Sequence, residues 1–212
     1  MTGSPARARS LVAAVSAARR GDLILVPTES VYALATDPFN RRGMDALRLA
    51  KRSPGNVPTP VMVPDLATVA GLSGRISHET DALMSAFWPG LLTLLVTPQP
   101  TLSWEFPAGA PLALRMPLHP VLLDLLRAAG PLAVTGANLA GMSPPETVDE
   151  AYEHIGDAII VALDVGARPG SDDALPSSVV DVRGATPILV RDGAISLEDL
   201  RTICPDIEQN QR

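Results

Sequence analysis

The chain has 212 residues, with 17 Lys+Arg against 23 Asp+Glu and a formal net charge of -6. Hydrophobic residues at 46% and charged residues at 19% exclude a disordered chain and leave room for one sizeable core. The acidic balance argues against broad phosphate-backbone binding, and an aromatic share of 3% argues against stacking along single-stranded nucleic acid.

In chain order, residues 5–20 are Ala-rich with apolar residues at helical spacing, and Gly21 stops them. Arg residues precede the apolar stretch, as in a signal peptide. Arg19-Arg20 follow it directly without a cleavage site, so an amphipathic helix and a cytoplasmic location are expected. Leu23-Ile24-Leu25-Val26 is a continuous apolar run, suited to a strand buried on both faces. Pro27-Thr28-Glu29-Ser30 breaks it, and a second apolar stretch runs from Val31 to Ala35. Residues 43–51 read as a helix ending in Lys51-Arg52. The segment 53–60, with three prolines and a glycine, cannot be regular.

Val61–Val63 is a short strand, with Asp65 placed to cap the helix after it. Ser77 opens a helix that Trp88-Pro89-Gly90 ends, and Leu91–Val96 reads as a buried strand before a Pro-rich segment reaching Gly109. Leu112–Leu114 leads into Arg115-Met116-Pro117, followed by a helix over 119–129. Leu132–Val134 enters a polar loop from Thr135 to Pro145, and Thr147 is placed to cap the next helix. Strands near 158–163, 178–182 and 187–190 and a short helix around Asp199 complete the order. Residues 204–212 are expected to form a frayed tail.

No internal repeat or dividing linker is visible, so residues 1–212 read as a single α/β domain with its core over about 8–203. Strands and helices do not alternate strictly, which points to a twisted mixed sheet flanked by helices rather than a doubly wound one. The single Cys204 excludes an internal disulfide or a thiolate cluster, and three scattered His make a zinc site improbable. No apolar run reaches the roughly 18–20 residues that span a bilayer, so no membrane partner is expected.

Short apolar strands end repeatedly in polar loops: Pro27–Ser30, Arg115–Pro117, Thr135–Asn138, Pro176–Ser178 and Arg191–Gly193. Such loops converge hydroxyls, amides and arginine forks on an anion, although ordinary capped turns have the same composition. There is no P-loop, no G-x-G-x-x-G, no G-x-S-x-G and no Ser/His pair in a nucleophile setting. Covalent catalysis is therefore not expected.

Pro27-Thr28-Glu29-Ser30-Val31-Tyr32-Ala33-Leu34 resembles the P-T-E-T-x-Y-G-L motif of the YrdC/Sua5 family. Phe87–Leu94 is similar to its F-W-P-G-P-L-T-L segment, Arg115–Pro120 to R-x-P-x-H-P, and Thr135–Gly141 to its S-A-N-L-S-G loop. Ser177–Asp181 resembles S-T-V-V-D, and Leu189–Ile195 resembles L-R-x-G-A-I. The resemblance spans about residues 20–195 with its six motifs in order.

It implies an open α/β groove and the synthesis of L-threonylcarbamoyladenylate from threonine, bicarbonate and ATP with Mg2+, the first step toward t6A in tRNA. It also implies hand-over to the t6A transferase machinery, with direct double-stranded RNA binding disfavoured. By this resemblance Thr28, Tyr32, Arg115 and Thr135 hold threonine or its carbamate. Lys51, Arg52, Asn138, Ser177, Ser178 and Arg191 surround the nucleotide, and Lys51, Arg52 and Arg115 act in catalysis. No protein-held metal is expected.

The sequence departs from the family where K-x-R-P becomes Lys51-Arg52-Ser53-Pro54, where a Lys is replaced by Thr59, and where Ala33 and Gly136 stand for Gly and Ser. These changes thin the cations on the triphosphate side. They leave open a divergent paralogue making another carbamoyl or acyl adenylate, or a non-catalytic nucleotide- or RNA-binding module. Phe87 and Trp88 read as core, and Glu29 as a salt-bridge or loop-ordering residue rather than a general base. Asn138 is equally suited to capping its own loop, and Lys51-Arg52 to a solvated helix end.

Overall fold

Leu23–Val26 is buried throughout, and its strand is paired on both sides, as its unbroken apolar run demands. The computed structural model describes residues 5–52, 59–105, 109–139, 141–169 and 175–210. Seven helices are described: α1 (Pro5–Arg20), α2 (Arg41–Lys51), α3 (Leu66–Leu72), α4 (His78–Phe87), α5 (Pro120–Ala129), α6 (Val148–Ile155) and α7 (Leu197–Ile203). The strands are β1 (Leu23–Pro27), β2 (Tyr32–Thr36), β3 (Val61–Met62), β4 (Leu92–Val96), β5 (Leu112–Arg115), β6 (Leu132–Gly136), β7 (Ile159–Ala162), β8 (Ser178–Asp181), β9 (Ile188–Arg191) and β10 (Glu208–Gln209).

The ten strands form one mixed sheet in the order β10-β9-β8-β4-β5-β3-β6-β2-β1-β7. Strand alternation assigns the core. Ile24, Val26, Ala33, Ala35 and Val134 pack beneath α1 and α5, while Leu23, Leu25, Tyr32 and Leu34 face α2 and α6 on the other side. A third cluster, including Leu83, Met84, Trp88, Leu92, Leu94 and Leu200, joins β4 and its neighbours to α4 and α7. Trp88 is core as expected, and its indole N–H donates to the Leu92 carbonyl at 2.7 Å.

The anticipated caps form. Asp65 accepts from Thr68 N at 2.8 Å, Ser77 from Thr80 N at 3.2 Å and Thr147 from Glu150 N at 3.2 Å. Helix α2 begins two residues earlier than its apolar spacing suggests, because Asn40 caps it by accepting from Gly43 N. The irregular segment expected over 53–60 lies, for 53–58, outside the described residues.

The frayed tail is corrected. Cys204 and Ile207 are 2% and 1% exposed within the third cluster, and β10 pairs in parallel with β9. Two apolar side chains flanking Pro205 anchor this segment, which its short polar end conceals. Among the described residues no helix is long and apolar enough to cross a membrane.

Candidate active site

A cavity of about 420 Å³ lies at the short central strand β3. Ala33, Met62 and Val134 lie on its wall and also belong to the core beneath α1 and α5. One side is made by the β1–β2 turn, Thr28 to Val31, and the end of β6, Thr135 and Gly136. The other is made by Arg115, Leu91, Thr93, Leu175–Ser177 and Arg191. The polar loops identified in the sequence thus converge at strand ends, those of β1, β5, β6 and β9 among them, with Ala33, Met62, Thr93 and Val134 of the sheet itself completing the wall.

Arg115, the last residue of β5, has an 11% exposed side chain. Its Nε donates to the Gly90 carbonyl at 2.8 Å, and its Nη2 lies 2.7 Å from Glu29 Oε2. The latter is an ion contact rather than an aligned hydrogen bond, since Nη2 has no partner of hydrogen-bond geometry. The other oxygen of Glu29 accepts from Leu118 N at 2.5 Å. Glu29 therefore orders the loop and holds Arg115 in place.

On the same side of the cavity, Arg191 donates from Nε and Nη2 to the Ser177 carbonyl, at 3.1 and 2.7 Å, and from Nη2 to Ser177 Oγ at 3.0 Å. Ser177 Oγ also meets Thr93 Oγ1 at 2.9 Å. Although the residue as a whole stays exposed, partial desolvation and then repulsion from Arg115 lower the Arg191 pKa from the ordinary arginine value. Two guanidiniums that repel one another at one cavity favour an anion between them. Gly193 allows the approach: a Cβ there would come within 2.4 Å of the Pro176 carbonyl.

Thr28 lines the cavity, held as a turn by Thr28 N to Val31 O at 2.9 Å and by its hydroxyl to the same carbonyl at 2.7 Å. Thr135 lines it too, and its hydroxyl finds no partner among the described residues. Of the residues singled out in the sequence, then, Thr28, Arg115, Thr135, Ser177 and Arg191 share the cavity wall.

The other five are placed elsewhere. Tyr32 pairs with Pro27 next to the cavity, but alternation turns it to the opposite face from Ala33. It is fully buried, and its Oη lies 2.9 Å from Gly166 O and 3.2 Å from Asp164 Oδ1 while accepting from Val165 N at 3.0 Å. Ser178 is also fully buried, donating to Ile195 O and accepting from Ile195 N.

Lys51 donates to Gly136 O at 2.6 Å, to Asn138 O, and to Asn138 Oδ1 at 3.2 Å, without a carboxylate partner among the described residues. Burial lowers its pKa from the ordinary lysine value. Asn138 does cap its loop, donating to Leu139 O and Met142 O. Its side chain occupies the space a serine would need at position 136, since a Cβ on Gly136 would lie 2.6 Å from Asn138 Oδ1. Arg52 is exposed in the left-handed region (φ 49°), where it ends α2.

Arg168 lies outside the motifs of the sequence. Its Nε and Nη2 donate, each at 3.0 Å, to the carbonyls of Thr28 and Glu29. No local signal marks it, because its partners lie about 140 residues away in the chain. Thr93 belongs to the F-W-P-G motif, but nothing in that motif separates it from an ordinary strand residue.

Comparison with known proteins bears on the family and the fold. The Sua5/YciO/YrdC family model, described as "Telomere recombination", matches residues 16–193. A Mycobacterium tuberculosis protein provisionally named threonylcarbamoyl-AMP synthase is 38% identical over 198 residues, which cover 93% of this chain and 90% of that one. Bacillus subtilis threonylcarbamoyl-AMP synthase is 33% identical over 188 residues, covering 87% of this chain and 54% of that protein. Pyrococcus abyssi Sua5, solved in complex with L-threonine, superposes with a TM-score of 0.86 at 26% identity, over 96% of this chain and 59% of that one. The chain therefore spans little more than half the length of the Bacillus and Pyrococcus proteins.

Proposed function

Because the chain belongs to the Sua5/YciO/YrdC family, we propose that it makes L-threonylcarbamoyladenylate from threonine, bicarbonate and ATP, the first step toward t6A in tRNA. The observation that carries this reading is the pair Arg115 and Arg191 lining one cavity together with the hydroxyl residues Thr28, Thr93, Thr135 and Ser177. Such a wall recognises a carboxylate and a phosphate together. The cavity volume falls in the ordinary range for small-molecule sites, about 300–1,000 Å³.

The threonine amine and bicarbonate combine to a carbamate with loss of water. A carbamate oxygen then attacks the α-phosphorus of ATP, the bond to the β-phosphate oxygen breaks, and pyrophosphate leaves. Neither step needs a side-chain nucleophile. The chain's part is to align the two reactants and to place fixed positive charge where negative charge develops. Arg115, held by Glu29 and Gly90, suits the amino-acid carboxylate or carbamate, and Arg191 suits a phosphate. Lys51 supports the Thr135–Asn138 loop from behind.

Among the described residues no three carboxylate, imidazole or thiolate side chains gather into a metal site. Mg2+ enters as part of the ATP substrate, its usual mode of entry. In this reading the protein is a cytoplasmic nucleotidyltransferase that hands its product to the t6A transferase machinery.

A second reading, another carbamoyl or acyl adenylate, is favoured by the capture of Lys51 by loop carbonyls and the outward position of Arg52, both of which thin the cations available to a triphosphate. Labelled ATP with Mg2+, bicarbonate and each amino acid in turn separates the two. Threonine-dependent pyrophosphate together with an adenylate product supports the first. Turnover with a different amino acid supports the second, and nucleotide binding without turnover for any of them defeats both.

A further inference from the structure

The connection leaving β7 starts at one edge of the sheet and returns to β8, beyond its centre. Its first residues lie against the back of the β1–β2 turn. Val165 N donates to Tyr32 Oη, and Arg168 N donates to Glu146 O at 2.8 Å. The Arg168 guanidinium then grips two consecutive peptides, with Nε on Thr28 O and Nη2 on Glu29 O. Among the described residues no carboxylate pairs with it. The fork is thus given to two neutral carbonyls, although a carboxylate is its stronger partner.

Those two peptides carry the site. Thr28 is on the cavity wall, and the Glu29 carboxylate holds both Arg115 and the backbone of Leu118. Two parallel donors fix the planes of both peptides at once, which a single donor cannot do. Arg168 itself is not among the residues lining the cavity. We propose that Arg168 is a positioning residue. It sets the Thr28–Glu29 peptides, and through Glu29 it sets Arg115, the cation that meets the anionic end of the amino-acid substrate. This rests on the adenylate-forming reading for its substrate, but not for its geometry.

Two measurements test it on the full chain. Amide hydrogen exchange needs no substrate. In Arg168→Ala the Thr28 and Val31 amides, which close the turn, exchange about tenfold faster while those of β4 are unchanged. In steady-state pyrophosphate release, the same variant raises the KM for threonine about tenfold or more and leaves that for ATP within about twofold. Arg168→Lys, able to reach one carbonyl, recovers part of the loss, and added methylguanidinium partly restores Arg168→Ala. Unchanged exchange at Thr28 and Val31 overturns the proposal whatever the activity. So does an equal rise in both KM values without rescue, which marks an arginine needed only for folding. If the wild type makes no pyrophosphate with threonine, the functional reading fails and exchange alone decides the role of Arg168. Should Arg168→Ala not fold, Arg168→Gln takes its place with the same outcomes.

Discussion

Replacing Arg115 by Met tests the Glu29–Arg115 pair as structure and as chemistry together. The two charges lie 2.7 Å apart, with side chains 11% and 17% exposed. At an effective dielectric constant of about 20 the gross attraction is about 6 kcal/mol, most of it offset by desolvation. Removing one partner strands the other. For a fully buried pair that costs about 3–5 kcal/mol, and the residual solvent contact here brings it to about 2–3 kcal/mol. In a chain of this length such a loss lowers Tm by about 5–10 °C.

Arg115→Met is therefore expected to melt early and to lose pyrophosphate release. Adding Glu29→Gln removes the stranded charge and recovers more than half of the lost stability. Thermal melts of the wild type, both single variants and the double variant give the coupling directly. A single variant melting within about 1 °C of the wild type, with additive effects in the cycle, would refute the reasoning. The Arg115 guanidinium would then be held by the Gly90 carbonyl alone.

Tyr32→Phe should lower stability by about 1–2 kcal/mol while leaving the threonine KM within about threefold. A larger KM effect would return Tyr32 to the substrate. Burial first, and the charge of Asp164 to a lesser extent, raise the Tyr32 pKa against the opposing Val165 N–H. The unfolded phenol thus ionises first, near pH 10, so the wild type's advantage over Tyr32→Phe is constant below about pH 9 and declines as pH rises past 10. Urea melts across that window check the sign. Ser178→Ala removes two hydrogen bonds to Ile195 and should destabilise by about 1–2 kcal/mol with the ATP KM unchanged; a tenfold rise in that KM would put Ser178 on the nucleotide. Arg52→Gly relieves a left-handed backbone position and should raise stability by about 1 kcal/mol, read in chemical melts. Loss of activity in a stabilised Arg52→Gly would show that the exposed guanidinium reaches substrate.

The course of the chain was largely legible in its sequence. Leu23–Val26 could only be a buried strand, Gly21 and Trp88-Pro89-Gly90 could only end helices, and Asp65, Ser77 and Thr147 cap where local chemistry says they must. Arg115 was legible as well, because a cation ending an apolar strand requires an anion. These signals act over a few residues, which is why they survive in a linear reading. Tyr32, Ser178 and Lys51 were also legible as polar residues of conspicuous motifs, but their destinations were not.

Only the tertiary structure decided those destinations. Alternation along β2 sends Ala33 toward the cavity and Tyr32 away from it, and the loop over 164–166 supplies partners that no neighbouring residue announces. Lys51 finds carbonyls 85 residues on, and Arg168 finds its own about 140 residues back. A hydrogen bond is decided by direction and distance in space, and the ten-stranded sheet fixes both only once all its strands are paired. Composition, spacing and caps thus specified the elements of this protein. Which of its polar groups face the cavity, and which hold the cavity in place, was specified by strand register and crossover.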